Sequence, residues 1–333
     1  MFAPIAEAAG WIYRAVFNLL EWPMLAIQRL TGPQRIAWVF LLPNLVIFGA
    51  FTFLPIILSF FYATTGSDNI LLADRPYVGF QNFSVLLNCE NYLDPNSCQR
   101  DLFWRAIHNT GWFVVLQVGF MILFSLITAL VLNQNIPFRG FFRSVFFYPV
   151  LLSPVVVALI WKWVLQRFGV LNAALEGSGL PTVNWLLEAD WAFFWIIFVS
   201  IWAHMGFYVL ILLAGLQSIP SDVYEAAEMD GASKWRTFSR ITLPLLMPTM
   251  AVVVVLSLIR AVQAFDEIFV LTGGGPGSAT LLVLQFIYET GFAVQPRIYG
   301  IAAAASILMA VVLLVLTLLQ LRVTRNQAEG GST

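Results

Sequence analysis

The side chains of this 333-residue chain that could handle a polar ligand are few, and several stand inside long apolar runs. Ser200 and His204 lie four apart, so a helix would put them on one face. Ser257, Arg260 and Gln263 are spaced by three, with Arg260 near the middle of its apolar run. No serine–histidine–carboxylate pattern is visible. The two histidines, His108 and His204, have no metal-ligand spacing, so no metal site is expected. The glycine-rich stretch LTGGGPGSAT lacks the lysine that a phosphate-binding loop places before its serine or threonine. Its glycines read instead as a turn that lets backbone approach another surface.

The elements that must carry these groups follow from composition. The chain is 60% hydrophobic and 11% charged, against about 25% charged in soluble domains. Such a chain cannot hide its apolar surface in one water-soluble globule, and it reads as an all-α polytopic membrane protein. Six stretches reach the length of about 20 apolar residues that a spanning helix needs: 36–62, 106–133, 141–166, 192–216, 246–271 and 298–321. Prolines 43, 55, 149, 154 and 248 read as bundle-facing kinks within them. The run AAAAS at 302–306 would let the last helix pack closely on a neighbour. Near-zero net charge and the lack of a basic run argue against a nucleic-acid partner. In residues 1–35, Trp11, Ile12, Ala15, Val16, Leu19 and Leu20 recur at helical spacing, opposite Arg14, Asn18 and Glu21. That suits an amphipathic helix in the membrane interface.

Cations set the orientation. With the N-terminus in the cytoplasm, the inner side holds Arg14, Arg29, Arg35, Arg139, Arg143, Lys234, Arg236, Arg240, Arg322 and Arg325. The outer side holds Arg75, Arg100, Arg105, Arg167 and Arg297. Both termini, including a tail at 323–333, are then cytoplasmic. Residues 63–105 and 272–297 form outer loops. Cys89 and Cys98 fall in the first of these, where they are either two separate thiols or a disulfide favoured by an oxidising compartment. Lys162, between two tryptophans, reads as snorkelling to the outer interface.

The inner segment 217–245 contains EAAEMDGASKW. Ser221 is placed to cap a helix, Asp222 and Glu225 suit its positive end, and Gly231 suits its C-terminal stop. A second helix would start near Ser233, with Trp235, Phe238 and Ile241 on its buried side, and Leu243-Pro244 would end it before the next span. Two short helices meeting at a glycine, with Ala226 and Ala227 leaving a low surface, read as a dock for another protein rather than a plain loop.

EAAEMDGASKWRTFSRITLPLLMP resembles the EAA motif of the permease subunits of bacterial ATP-binding-cassette importers, in their carbohydrate-uptake branch. FVLTGGGPGSATLLVLQFIYETGF, followed by YGIAAAAS, resembles the last outer loop and final helix of the same branch. The resemblance runs from about residue 36 onward and implies the type I importer permease fold over 36–322. It implies an inner-membrane transport subunit that is not itself an enzyme. The chain would bind no cofactor, ATP and Mg being held by two partner ATPase subunits. The remaining expected partners are a second, homologous permease, an extracytoplasmic solute-binding protein and membrane lipid. A membrane enzyme such as a lipid-modifying transferase, or a secondary transporter with inverted repeats, is the alternative class.

By the same resemblance Glu225, Ala226, Ala227, Asp230 and Gly231 couple to the ATPase. Gly273, Gly274, Gly275 and Pro276 lie near the binding protein. The substrate pathway falls on Ser200, His204, Phe207, Ser257, Arg260, Ala261 and Ala264. Arg260 departs from the uncharged residue the branch leads one to expect. Either it meets an anionic group on a sugar derivative, or it pairs with Asp266, Glu267 or the partner permease.

Overall fold

The computed structural model describes residues 36–66 and 68–330, with side chains described as far as residue 322. The interfacial helix expected in 1–35 lies outside the described residues. The chain divides into two compact units, the second beginning at Tyr62. The described part of the first is a single helical run: α1 (Ile36–Phe48), a π turn at Gly49–Phe53, then α2 (Leu54–Ala63), which carries on to the start of the second unit. The wide π turn ends two residues before Pro55, whose missing N–H would leave the Phe51 carbonyl unpaired in a regular helix.

The second unit continues through α3 (Gln81–Leu87), α4 (Asp101–Asn133), α5 (Arg139–Phe147), α6 (Pro154–Leu165), α7 (Val170–Gly177) and α8 (Ala189–Gln217). Next come α9 (Ser221–Met229), α10 (Lys234–Thr237), α11 (Leu243–Val262), α12 (Asp266–Thr272), α13 (Val283–Tyr288) and α14 (Tyr299–Gly330). Strands are absent among the described residues, apart from two isolated bridges. Six helical stretches are long and apolar enough to cross a membrane: Leu41–Ala63, Asp101–Asn133, Pro154–Gly177, Ala189–Gln217, Lys234–Val262 and Tyr299–Arg322.

Two spans differ from the sequence reading. The stretch 141–166 is not one helix: α5 passes into a 3₁₀ turn at Tyr148–Leu151, and α6 starts afresh at Pro154. Pro154 is therefore a helix start, where its missing N–H costs nothing, and not a kink. The stretch 246–271 also breaks, because α11 stops at Val262 and α12 begins at Asp266. No glycine or proline marks that gap.

The core of the second unit is built on α4 packed along α8, with α11 against both. Phe113, Met121, Ile196, Tyr208, Leu212 and Leu246 are fully buried there. A second cluster joins α4, α13 and α14, where Ala302, Ala304 and Ala305 are buried as the small-residue run requires. Gly206 of α8 is the tightest point: a Cβ there would lie 2.2 Å from the Phe146 carbonyl oxygen and 2.8 Å from the Phe147 Cα. Both obstacles are backbone, so neither can swing aside. Gly206→Ala is expected to destabilise the protein by about 1–3 kcal/mol through overpacking. Gly119→Ala, at a helix position with nothing within 4 Å, should not. Thermal melting of the two purified variants checks the contrast.

Arg75 fastens the first loop of the second unit. It donates to Thr65 Oγ1 at 2.9 Å, the Thr65 carbonyl at 3.1 Å and the Asn69 carbonyl at 2.6 Å, and it lies 5.0 Å from the Tyr62 ring. Burial holds its pKa below the usual arginine value. Further along the loop, Cys89 and Cys98 are joined in a disulfide.

Candidate functional site

The polar groups inside the spans converge where α11 breaks. His204 Nδ1 lies 2.8 Å from the Ser200 carbonyl, which can only accept, so Nδ1 carries the proton. Nε2 is then free to accept, and it does so from Arg260 Nη2. Ser200 Oγ donates to Glu267 Oε1 at 3.3 Å, and the same oxygen lies 4.0 Å from His204 Nδ1. Glu267 and Ser200 are buried, whereas Arg260 is exposed. Beside this network lies a cavity of about 190 Å³ lined by Arg260, Gln263, Ala264, Asp266 and Glu267, with Leu256, Ile259 and Phe265.

Of the seven residues read as a pathway, the structure therefore brings together Ser200, His204, Arg260 and Ala264. Ser257 is buried and donates to the Val254 carbonyl of its own turn at 2.9 Å. Ala261 is buried as well. Phe207 is exposed and lines a different part of α8, against the Tyr208 ring. Neither pairing raised for Arg260 within this chain is found: among the described residues, no carboxylate lies within 4.0 Å of it. Its partner is His204, and Glu267 is reached only through that imidazole. Glu267 itself is buried. Gln263, Asp266 and Glu267 emerge as cavity residues, and the helix break that aims them there leaves no mark in composition.

The arm at 217–245 is largely as its sequence reads. Helix α9 ends in a Schellman motif: the Ala232 N–H reaches the Ala227 carbonyl at 2.9 Å and the Gly231 N–H reaches Glu228 at 3.0 Å. Gly231 takes φ +69°, and Ser233 caps α10 through the Arg236 N–H at 3.4 Å. Other details change. Ser221 is the first helical residue and makes no cap; Pro220 precedes it. Leu243-Pro244 does not end the second helix. A π turn at Phe238–Thr242 absorbs the missing proline N–H, and the helix runs on into α11. Trp235 is 74% exposed instead of buried, and Met229 is 88% exposed. Glu225, Ala226, Asp230 and Gly231 face outward, while Ala227 is covered by its own chain.

The glycine-rich loop after α12 is knitted in place. Gly273 and Gly274 adopt φ +61° and +84°. Gly274 is buried, and a Cβ there would lie 2.7 Å from Gln285 Nε2. Thr280 Oγ1 donates to the Gly275 carbonyl at 2.7 Å, and Asn109 Nδ2 donates to the Ser278 carbonyl at 2.8 Å. Gly273 is the exposed member of the predicted contact, Gly275 and Pro276 are half-buried, and Gly274 has no face to offer. Lys162 donates to the Val270 carbonyl at 3.1 Å and so ties α6 to α12.

Residues 121–328 match the family described as the binding-protein-dependent transport system inner membrane component. The chain belongs to that family. This permease is thus a multi-pass membrane protein and a transport subunit, not an enzyme. It is 35% identical over 300 residues to the trehalose/maltose transport system permease protein MalF of Thermococcus litoralis, covering 89% of this chain and 95% of the relative. It is 31% identical to the lactose transport system permease protein LacF of Rhizobium radiobacter, over 87% and 94% of the two chains. Among solved structures it resembles a bacterial ABC transporter involved in importing the acidic polysaccharide alginate. That match has a TM-score of 0.76 and 29% identity, covering 90% of this chain and 99% of the other.

Proposed function

We propose that this permease forms half of the membrane pathway of an ATP-driven importer for a saccharide. The observation that carries the reading is mechanical. One helical stretch, Lys234–Val262, joins the exposed inner arm to Arg260 at the polar cavity, a reach of about 39 Å. A stiff member can carry a displacement over that distance, and a loose loop cannot.

The cavity suits hydroxyl groups. A guanidinium fork and an amide can donate, and the Asp266 and Glu267 carboxyls can accept. With one cation facing two carboxyls, the lining has no surplus positive charge to single out an anionic cargo. Trehalose, maltose and lactose in the names of the relatives point to the same class. An acidic saccharide is the second reading, favoured by the likeness to the alginate transporter and by Arg260 itself.

The exposed flank of the cavity calls for a second permease to close it. The exposed arm at Glu225, Ala226, Asp230 and Gly231, with Met229 and Trp235 beside it, docks on an ATPase subunit. Two such subunits hold the ATP and Mg, and this chain binds no cofactor. A solute-binding protein approaches at Gly273, Gly275 and Pro276. The Cys89–Cys98 disulfide supports an oxidising outer compartment for its loop, and with it the reading of both termini in the cytoplasm. Co-purification with a partner ATPase and permease, followed by reconstitution, tests the reading. The expected result is ATP hydrolysis stimulated by loaded binding protein. A chain that transports alone, or never associates with an ATPase, would sink it.

A further inference from the structure

Two arginines of α5 converge on the last residue of α8. The Gln217 side-chain oxygen, in the amide orientation that satisfies both ends of the group, accepts from Arg143 Nη2 at 2.9 Å and from Arg139 Nη2 at 3.1 Å. Arg139 Nε also donates to the Leu132 carbonyl at 2.6 Å. Leu132 lies in the last turn of α4, where helix carbonyls lack partners of their own. Arg139 therefore joins the ends of α4 and α8, and its charge suits the negative end of both dipoles. The other end of α5 is fixed too, since the Phe146 carbonyl and the Phe147 backbone press on Gly206. Helix α5 is strapped to α8 at Gly206 and Gln217, eleven residues apart and roughly 16 Å along α8.

The strap sits beside the inner arm. Only residues 218–220 separate Gln217 from the first residue of α9. At its far end, α5 leads through the 3₁₀ turn into α6. Helix α6 packs on α12 and holds the Val270 carbonyl through Lys162 at 3.1 Å. Helix α12 carries Asp266 and Glu267, a wall of the cavity. From Gln217, then, a second line of contacts runs to the cavity, distinct from the α10–α11 helix.

We propose that the Arg139–Arg143–Gln217 strap is a positioning device that passes movement of the inner arm through α5 and α6 to the α12 wall of the cavity. Its role rests on the reading of an ATPase-driven importer. The two helical members then move different walls, Arg260 on α11 and the carboxyls on α12, so the pocket changes shape rather than shifting as a block. Packing alone would not need two guanidinium groups aimed at one amide.

The test uses the assembled importer with its permease and ATPase partners and loaded binding protein, measuring transport and ATP hydrolysis on the same preparation. Gln217→Ala is expected to cut cargo moved per ATP at least tenfold, with hydrolysis within twofold of wild type. Gln217→Glu, whose carboxylate accepts from both arginines, should keep the wild-type ratio. An Arg139→Met/Arg143→Met double variant should match Gln217→Ala, and combining all three changes should add nothing. Transport and hydrolysis falling together would mark a merely structural contact and overturn the strap. So would an unchanged ratio in Gln217→Ala. Should the wild-type assembly itself show no cargo-stimulated hydrolysis, the importer reading falls, and the strap with it.

Discussion

Replacing Gly231 with valine is expected to bring transport close to background while leaving the membrane part of the protein folded. Gly231 takes φ +69°, which costs an L-residue about 1–2 kcal/mol and a β-branched one more. A Cβ there meets nothing within 4 Å, so the penalty is purely one of backbone conformation. Relieving it means leaving the left-handed region, which breaks the Ala232–Ala227 and Gly231–Glu228 bonds and re-aims α9 relative to α10. The arm is exposed, so the core has no share in the loss. The expected order of transport is Gly231→Asn above Gly231→Ala above Gly231→Val, because asparagine tolerates the left-handed region best of the three. The valine variant should lose more than tenfold in cargo-stimulated hydrolysis, with a melting temperature near wild type. Equal transport across the series would show that the arm's bend is not what the partner engages.

The arm was legible because its signals are local. Acidic residues at a helix start, a glycine at its end and a serine before the next helix each act within one turn, although the cap expected from Ser221 does not form. The six spans were legible because the bilayer imposes a length and a composition. The interior of the spans was not. The break at Gln263–Phe265 turns Asp266 and Glu267 into the cavity, yet no glycine or proline announces it. The restart at Pro154 was visible only as a proline, and a proline inside an apolar run fits a kink equally well. Gly206 reads as one more small residue until the Phe146 carbonyl is placed against it. Arg260 showed that a buried-depth cation needs a partner without showing which, since His204 lies 56 residues away in sequence. Long-range contacts decide these features, and a hydropathy pattern carries no long-range term.

Arg260 is also where the cargo's chemistry can be tested. Its guanidinium donates to neutral His204 on one side and lines the cavity on the other. Removing it leaves the Gln263 amide as the remaining donor in a pocket that also holds two carboxyls. On the proposed saccharide reading, hydroxyl acceptors of the cargo then lose their charged partner, and a hydrogen bond to a charged group contributes about 1.5–3 kcal/mol. Arg260→Ala is therefore expected to lower transport of neutral and acidic sugars alike, by about 10- to 100-fold at that energy. Arg260→Lys should recover only part of the loss, because an ammonium cannot reach His204 and the cavity with one planar fork. His204→Phe, which removes the acceptor that holds Arg260, should reproduce a smaller version of the same defect. The measurement is uptake into proteoliposomes of a neutral disaccharide and of a uronate-containing one, each delivered by a binding protein that takes it. Loss confined to the uronate would mean that Arg260 reads the cargo's charge, and the acidic-saccharide reading would replace the neutral one. Loss of neither would place the cargo's path away from this cavity altogether.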